Sequence, residues 1–234
     1  MSVVVPMASF SNEAGPAPIP RAIVKLGGSL AGSPRLDPWL RAIAEAPEPR
    51  LLVPGGGPFA DAVRALQPRL GFDDRVAHGA AVLAMQQYAL WLAAREPRLV
   101  PVEREEEIAR AARAGRAMLW LPWAMAGRDA TIEASWRITS DSLALLLAIR
   151  LGVPELLLVK AAALPEGPVA LAALAEGGIL DPAFPELARG YRGRIRLARA
   201  ERPETLGEGG LEPERPPLRS RAGAPKLEED EAKR

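Results

Sequence analysis

The chain has 234 residues, 48% of them hydrophobic, with a formal net charge of +1 and no cysteine. Near-neutral charge gives no electrostatic pull toward nucleic acid or an anionic membrane surface, and the missing thiols exclude a disulfide framework and a thiolate metal site. The length allows one large domain or two small ones, and the absence of cysteine fits a reducing cytoplasm, the expected location.

Residues 1–20 are rich in Pro, Ser and Ala and read as a loose leader. They have no basic start, and Val3-Val4-Val5 is too short for the apolar core of a secretory signal. The folded body is expected over 21–200. It opens with a strand over 22–26, followed by Gly27-Gly28-Ser29. Ser33-Pro34 then reads as a cap and first helical turn, with Leu36, Trp39, Leu40 and Ile43 following at helical spacing. A second strand over 50–53 runs into Pro54-Gly55-Gly56-Gly57-Pro58. Phe59, Val63 and Leu66 mark the next helix, and 73–95 a long one with Val76, Leu83, Leu90 and Trp91 among its apolar positions. Strands over 98–102 and 116–121 flank a short helix over 108–114, and Glu103 to Glu107 reads as its solvated start. A helix over 142–151 and strands over 155–160 and 194–197 complete the body. The apolar stretch from Leu143 to Leu164 is broken by Arg150, Pro154, Glu155 and Lys160, so it does not read as a membrane span and a soluble protein is expected. Residues 201–234 carry nine acidic and seven basic residues, five prolines and no aromatics, and read as a disordered tail.

Strands alternating with helices of this length predict an α/β fold, a mostly parallel sheet covered on both faces, with ligands beyond the carboxyl ends of the strands. Two of the four lysines stand at such ends, Lys25 and Lys160, in a chain that otherwise writes its cations as arginine. Lysine is a mobile point charge where arginine is a planar fork. After Lys25, two glycines let backbone N–H groups approach an anion, although the lysine precedes the glycines and the pattern is not a P-loop. Gly55-Gly56-Gly57, stiffened by its flanking prolines, offers a bare backbone surface to a substrate. Thr139-Ser140-Asp141 crowds a helix start; capping explains such residues, and Asp141 as a buried carboxylate between the lysines is compatible with capping. His78, the one histidine, reads as structural on its long helix. Trp123 and Trp136 flank 124–134, which could form a lid.

In this order, Lys25-Leu26-Gly27-Gly28-Ser29, Gly55-Gly56-Gly57, Thr139-Ser140-Asp141 and Leu158-Val159-Lys160-Ala161 resemble the amino acid kinase superfamily, in particular its uridylate-kinase-like branch, over about residues 20–200. Asp74-Arg75-Val76-Ala77-His78, Ala84-Met85-Gln86-Gln87-Tyr88, Ser135 to Ser142 and Asp181-Pro182-Ala183-Phe184-Pro185 resemble the [5-(aminomethyl)furan-3-yl]methyl phosphate kinases of methanofuran-type cofactor biosynthesis. The resemblance implies a three-layer α-β-α sandwich and ATP-dependent phosphoryl transfer to a small phosphorylated acceptor, with Mg²⁺ arriving on ATP rather than in a protein cage. It implies Lys25, Asp141 and Lys160 as catalytic residues, Gly27, Gly28 and Ser29 at the ATP phosphates, and Gly55, Gly56, Gly57 and Thr139 at the acceptor. It also implies a homo-oligomer, with neither nucleic acid nor membrane as partner. One departure is the stretch Ala162-Ala163-Leu164-Pro165-Glu166-Gly167, where the uridylate kinase branch has a Val-Asp-Gly-Val-type turn against the nucleotide. Another kinase of this fold, for uridylate or an isoprenoid phosphate, and a non-catalytic nucleotide- or oxoanion-binding subunit are the alternatives.

Overall fold

The fold comes from a computed structural model, which describes residues 18–167 and 169–215. Six strands form one sheet: β1 (Ala22–Leu26), β2 (Arg50–Pro54), β3 (Val100–Val102), β4 (Met118–Trp120), β5 (Glu155–Lys160) and β6 (Arg194–Arg199). Their order is β3-β4-β2-β1-β5-β6, and every pairing is parallel. β1, β2 and β5 are buried along their whole length, which accounts for apolar runs in place of alternation in their sequences. The chain leaves β1 toward β2 and later returns to its other side as β5. That reversal opens a crevice at the carboxyl end of β1, where ligands collect in sheets of this kind.

Helices cover both faces. α1 (Leu36–Ala44) buries Leu36, Trp39, Leu40 and Ile43 beside Val24, Leu26, Leu52 and Leu157 of the sheet. The Trp39 indole also donates to the Ala200 carbonyl at 2.8 Å. The opposite face is covered by α4 (Glu105–Arg113), α5 (Ser140–Leu151), α6 (Leu171–Glu176) and α7 (Phe184–Leu187), packed on Ile23, Leu51, Leu156 and Leu158. α6 and α7 are six and four residues long, too short to show helical periodicity in the sequence.

α2 (Gly57–Leu70) and α3 (Asp74–Arg95) form a helical hairpin, with α3 against β2 and β4. Phe59, Val63 and Leu66 are not the buried stripe that their spacing predicts: α2 buries none of its side chains, and Phe59 and Leu66 are exposed. The reason is placement, because α2 packs on α3 and its remaining inward face borders a cavity. Val76, Leu83, Leu90 and Trp91 of α3 are likewise exposed, while Val82, Met85, Tyr88, Ala89 and Leu92 face inward.

The folded body also runs past residue 200. A 3-10 turn at Pro203–Leu206 and a bridge between Leu211 and Leu197 lay residues 201–215 along β6. The guanidinium of Arg196, 1% exposed, donates to the carbonyls of Thr205, Leu206 and Gly209 and to Glu155. A buried cation needs such partners, and this one draws its partners from the segment that composition assigned to the tail. The leader through residue 17 and the tail from 216 lie outside the described residues. Among those described, no helix is long and apolar enough to cross a membrane.

Candidate active site

Side chains alternate along a strand. On β1, Ile23 faces the α5 side of the sheet and Val24 the α1 side, so Lys25 faces α5. On β5, Leu156 and Leu158 face α5, and so does Lys160. The register sets Lys25 beside Leu158, which leaves Lys160 two steps further along on the same face. Between them stands Asp141, in the first turn of α5. Its Oδ1 lies 2.9 Å from Lys25 Nζ, and its Oδ2 accepts a hydrogen bond from Lys160 Nζ. All three are under 10% exposed. Burial opposes the charge of Asp141, but the two lysines outweigh it and hold the carboxyl below its ordinary range. Burial lowers the pKa of Lys160, partly offset by Asp141.

Beside this triad, the two glycine turns touch. A Cβ at Gly28 would lie 2.1 Å from the backbone nitrogen of Gly57, and one at Gly55 would lie 2.2 Å from the nitrogen of Gly28. Only glycine permits that approach. Gly28 opens a 3-10 turn through Leu30, and Gly57 opens α2 with no acidic residue in the first turn. Two helical N-termini therefore bring their free N–H groups and positive dipole ends to one place, an arrangement suited to anions. Gly27 packs within reach of Lys25 Nζ: a Cβ there would be 3.7 Å from it.

From these turns a cavity of about 250 Å³ extends between α2 and α3. Gly28, Ser29, Gly56 and Gly57 line one end; Val82, Met85, Ile138, Leu143 and Trp136 supply apolar wall. Trp136 is held from α2: its indole donates to Gln67 Oε1 at 2.6 Å, and the Arg64 guanidinium sits over its ring at 4.3 Å. Gln67 in turn donates to Asp74 Oδ1 at 2.7 Å. The cover is thus Trp136 rather than 124–134. None of the latter lines the cavity, and its first turn is a π-helix (Trp123–Gly127) tied to α3 through Gln86 Oε1 and His78.

Of the residues singled out in the sequence, Lys25, Asp141 and Lys160 form one cluster, and Gly28, Ser29, Gly56, Gly57 and Thr139 line the cavity beside it; Gly27 and Gly55 stand behind that lining. Thr139, Ser140 and Asp141 do not cap α5 as their types suggest. Thr139 is the N-cap residue but makes no capping hydrogen bond through its side chain. Asp181, in the turn before α7, accepts from the backbone N–H groups of Thr139 and Ser142 at 2.8 and 2.9 Å and from the Thr139 hydroxyl at 2.5 Å. Sequence reading left Asp181 without a role, along with Asp61, Arg64, Gln67 and Asp74. The available signal was helical phase, since Asp74, His78, Val82 and Met85 share a face of α3.

No family model matches the chain. It is 31% identical over 143 residues to the [5-(aminomethyl)furan-3-yl]methyl phosphate kinase of Methanocaldococcus jannaschii, an alignment covering 58% of this chain and 63% of that protein, so it spans less than two thirds of this relative. Among solved structures, the uridylate kinase from Archaeoglobus fulgidus matches with a TM-score of 0.59 at 15% identity, covering 82% of this chain and 97% of that one. The UMP kinase from Ureaplasma parvum matches at 0.58 and 12%, covering 83% and 98%. The aspartate kinase from Synechocystis matches at 0.61 and 14%, covering 86% of this chain and 40% of that one. With its parallel sheet, its lysines at two strand ends and its paired glycine turns, the chain has the amino acid kinase fold.

Proposed function

We propose that the protein is an ATP-dependent kinase acting on a small acceptor that is already a phosphate ester, of the (aminomethyl)furanmethyl phosphate class, with a diphosphate as product. The observation that carries this is the convergence of Lys25 and Lys160 on Asp141 beside the two abutting glycine turns. Phosphoryl transfer asks for positioning and charge stabilisation more than for covalent chemistry. An oxygen of the acceptor phosphate forms the new P–O bond, and the bond from the γ-phosphorus to the bridging oxygen breaks, its electrons leaving with ADP. A phosphate ester presents an ionised oxygen, so no proton has to be removed and no general base is required. Asp141, with both oxygens taken by lysines, would act as a positioning group. Lys25 would stabilise charge on the transferring group, Lys160 the donor phosphates, and Gly27, Gly28 and Ser29 would cradle those phosphates. Gly55, Gly56 and Gly57 would hold the acceptor phosphate at the start of α2. The Thr139 hydroxyl donates to Asp181, and Thr139, which lines the cavity, would contact the acceptor through its oxygen.

Among the described residues, no group of three or more His, Asp or Glu side chains could cage a metal ion. The Mg²⁺ of an ATP complex would be held by phosphate oxygens and water. A homo-oligomer belongs to the same proposal, supported by the exposed Val76, Leu83 and Leu90 along one side of α3; sedimentation of a Leu83→Glu, Leu90→Glu variant should show a smaller species than the parent.

The deciding experiment incubates the protein with Mg-ATP and a panel of phosphate esters that includes the aminomethylfuran ester, UMP and isopentenyl phosphate. ADP release and the ³¹P spectrum are followed. A diphosphate signal should grow with the first ester and not with the other two. If no ester raises ADP release above the rate with ATP alone, the protein is not this kinase.

A further inference from the structure

We infer that the cavity holds a second recognition point, formed by His78, Asp61 and Asp74, which reads an amine on the acceptor at the end remote from its phosphate. The inference rests on the reading of the glycine end as the acceptor-phosphate site.

His78 is 7% exposed and lines the cavity. Its Nε2 lies 3.1 Å from the Ala126 carbonyl, which can only accept, so Nε2 carries the hydrogen. Nδ1 has no partner among the described residues. With its ring fixed through the other nitrogen and the residue lining the cavity, Nδ1 is an acceptor open to a donor. Asp61 also lines the cavity and makes neither a hydrogen bond nor an ion pair with the described residues. Asp74 spends one oxygen on Gln67, and its second is uncommitted. Arg64, the cation of this region, is accounted for by its seat on Trp136.

The hairpin geometry orders these groups. The Tyr88 ring lies beside Gly57 at one end of α2, and Asp74 bonds Gln67 near the other. Interpolated between those contacts, His78 is level with Arg64, about 10 Å of helix rise past Gly57. One end of the cavity thus carries the helical N-termini, with the Lys25–Asp141–Lys160 cluster beside it. The other carries two carboxylates and an imidazole acceptor, and Val82, Met85 and Trp136 wall the space between. An anion at one end, an apolar body and a hydrogen-bond-donating cation at the other would satisfy all three regions. A primary ammonium has donors and charge but no acceptor, matching the carboxylates of Asp61 and Asp74 and the Nδ1 of His78, which can only accept. A hydroxyl in its place would bring one donor and no charge to the carboxylates.

The test compares 3-(aminomethyl)benzyl phosphate with 3-(hydroxymethyl)benzyl phosphate as acceptors. The parent protein should favour the amine in kcat/KM by at least about 100-fold, since a site built for a polar group discriminates strongly against its absence. Asp61→Asn should reduce that preference at least about tenfold while leaving kcat/KM for the hydroxyl compound within a few-fold. Asp74→Asn and His78→Phe should act in the same direction. Asp61 is exposed and unpartnered, so misfolding cannot excuse its variant. Equal use of both compounds by the parent, or an undiminished preference in Asp61→Asn, overturns the inference. If neither compound is phosphorylated, the kinase proposal fails for this class, and calorimetry without ATP decides the amine site. Tighter binding of the amine by the parent but not by Asp61→Asn supports it, and equal binding overturns it.

Discussion

Two ammonium groups meet on one carboxylate in a place that water barely reaches, so removal of the carboxylate should do more than slow a reaction. Asp141→Asn keeps the shape of the side chain but leaves two lysine charges buried against each other. Breaking buried pairs of this kind costs about 3–5 kcal/mol, and chemical denaturation of the ligand-free variant should show a loss of that order. Added ATP should then raise its melting temperature by more than it raises the parent's, because the polyphosphate supplies the missing negative charge. The pH dependence has a definite sign. The carboxyl of Asp141 is lowered in the folded state, so its stabilisation is present above the ordinary value of 3.8 and is lost as pH falls through the lower folded value. Lys160 is lowered too, which makes stability rise with pH between its folded value and 10.5. Lys25 admits a sharper comparison. Lys25→Ala should cost about 100- to 1000-fold in kcat, about 3–4 kcal/mol, as for loss of one donor aimed at a transition state. Lys25→Arg should rescue little, because Gly27 packs beside Nζ and a planar fork needs more width. Near-parental kcat in the Arg variant would mean that the position supplies only general positive potential.

At the scale of elements, the site is assembled by helix starts, and the start of α5 is fixed from a distance. Asp181 ties down two backbone N–H groups and the Thr139 hydroxyl. Asp181→Ala should therefore lower stability by about 1–2 kcal/mol, as for other lost N-terminal caps. It should also lower kcat, because Asp141 lies in the turn that it anchors; Asp181→Asn, which keeps an acceptor oxygen, should recover part of both. Measured melts and kcat values for the two variants check this. The strand ends and glycine turns were legible in the sequence because each is a local pattern: a β-run, a lysine and two glycines state their own geometry. Asp181 was not, being 42 residues from Thr139 and brought there only by α6 and α7, which are too short to announce themselves. The surroundings of His78 were hidden for a related reason. A lone histidine on a helix says nothing until a second helix is placed against it. The phase of Asp74, His78, Val82 and Met85 marks a shared face, and only the position of α2 turns that face into a cavity wall. α2 itself hides its purpose, since a helix that borders a cavity buries no stripe for periodicity to reveal.

Across the whole molecule, strand parity and sheet order do what no single motif does. β1 and β5 are adjacent and parallel, so equal parity sends Lys25 and Lys160 to one face, and the crossover that returns the chain to β5 places α5 on that face. The same β5–β6 edge explains where composition misled. Residues 201–215 are charged and proline-bearing, yet they pack along β6 and supply partners to a side chain buried there. Arg196 is buried on β6, and Glu155 alone leaves the rest of its guanidinium unsatisfied; the carbonyls of Thr205, Leu206 and Gly209 complete it. Trp39 of α1 meets Ala200 at the same edge, and Leu206 packs into that side of the core. Ending the chain at Ala200 would leave a buried cation with orphaned donors and open the α1 layer, each a named route to severe loss of stability. Ending it at Arg215 keeps every one of these contacts, including those of Arg215 with the carbonyls of Ala188 and Gly193. The shorter truncation product should therefore lose its cooperative melt or drop far in melting temperature, while the longer one should melt within a few degrees of the full chain. Replacing Arg196 by Met in the 1–200 chain provides the control. It removes the orphaned charge, so it should restore part of the lost stability there and lower stability in the full chain. The absence of that reversal would move the cause of the loss from Arg196 to the apolar contacts of Leu206.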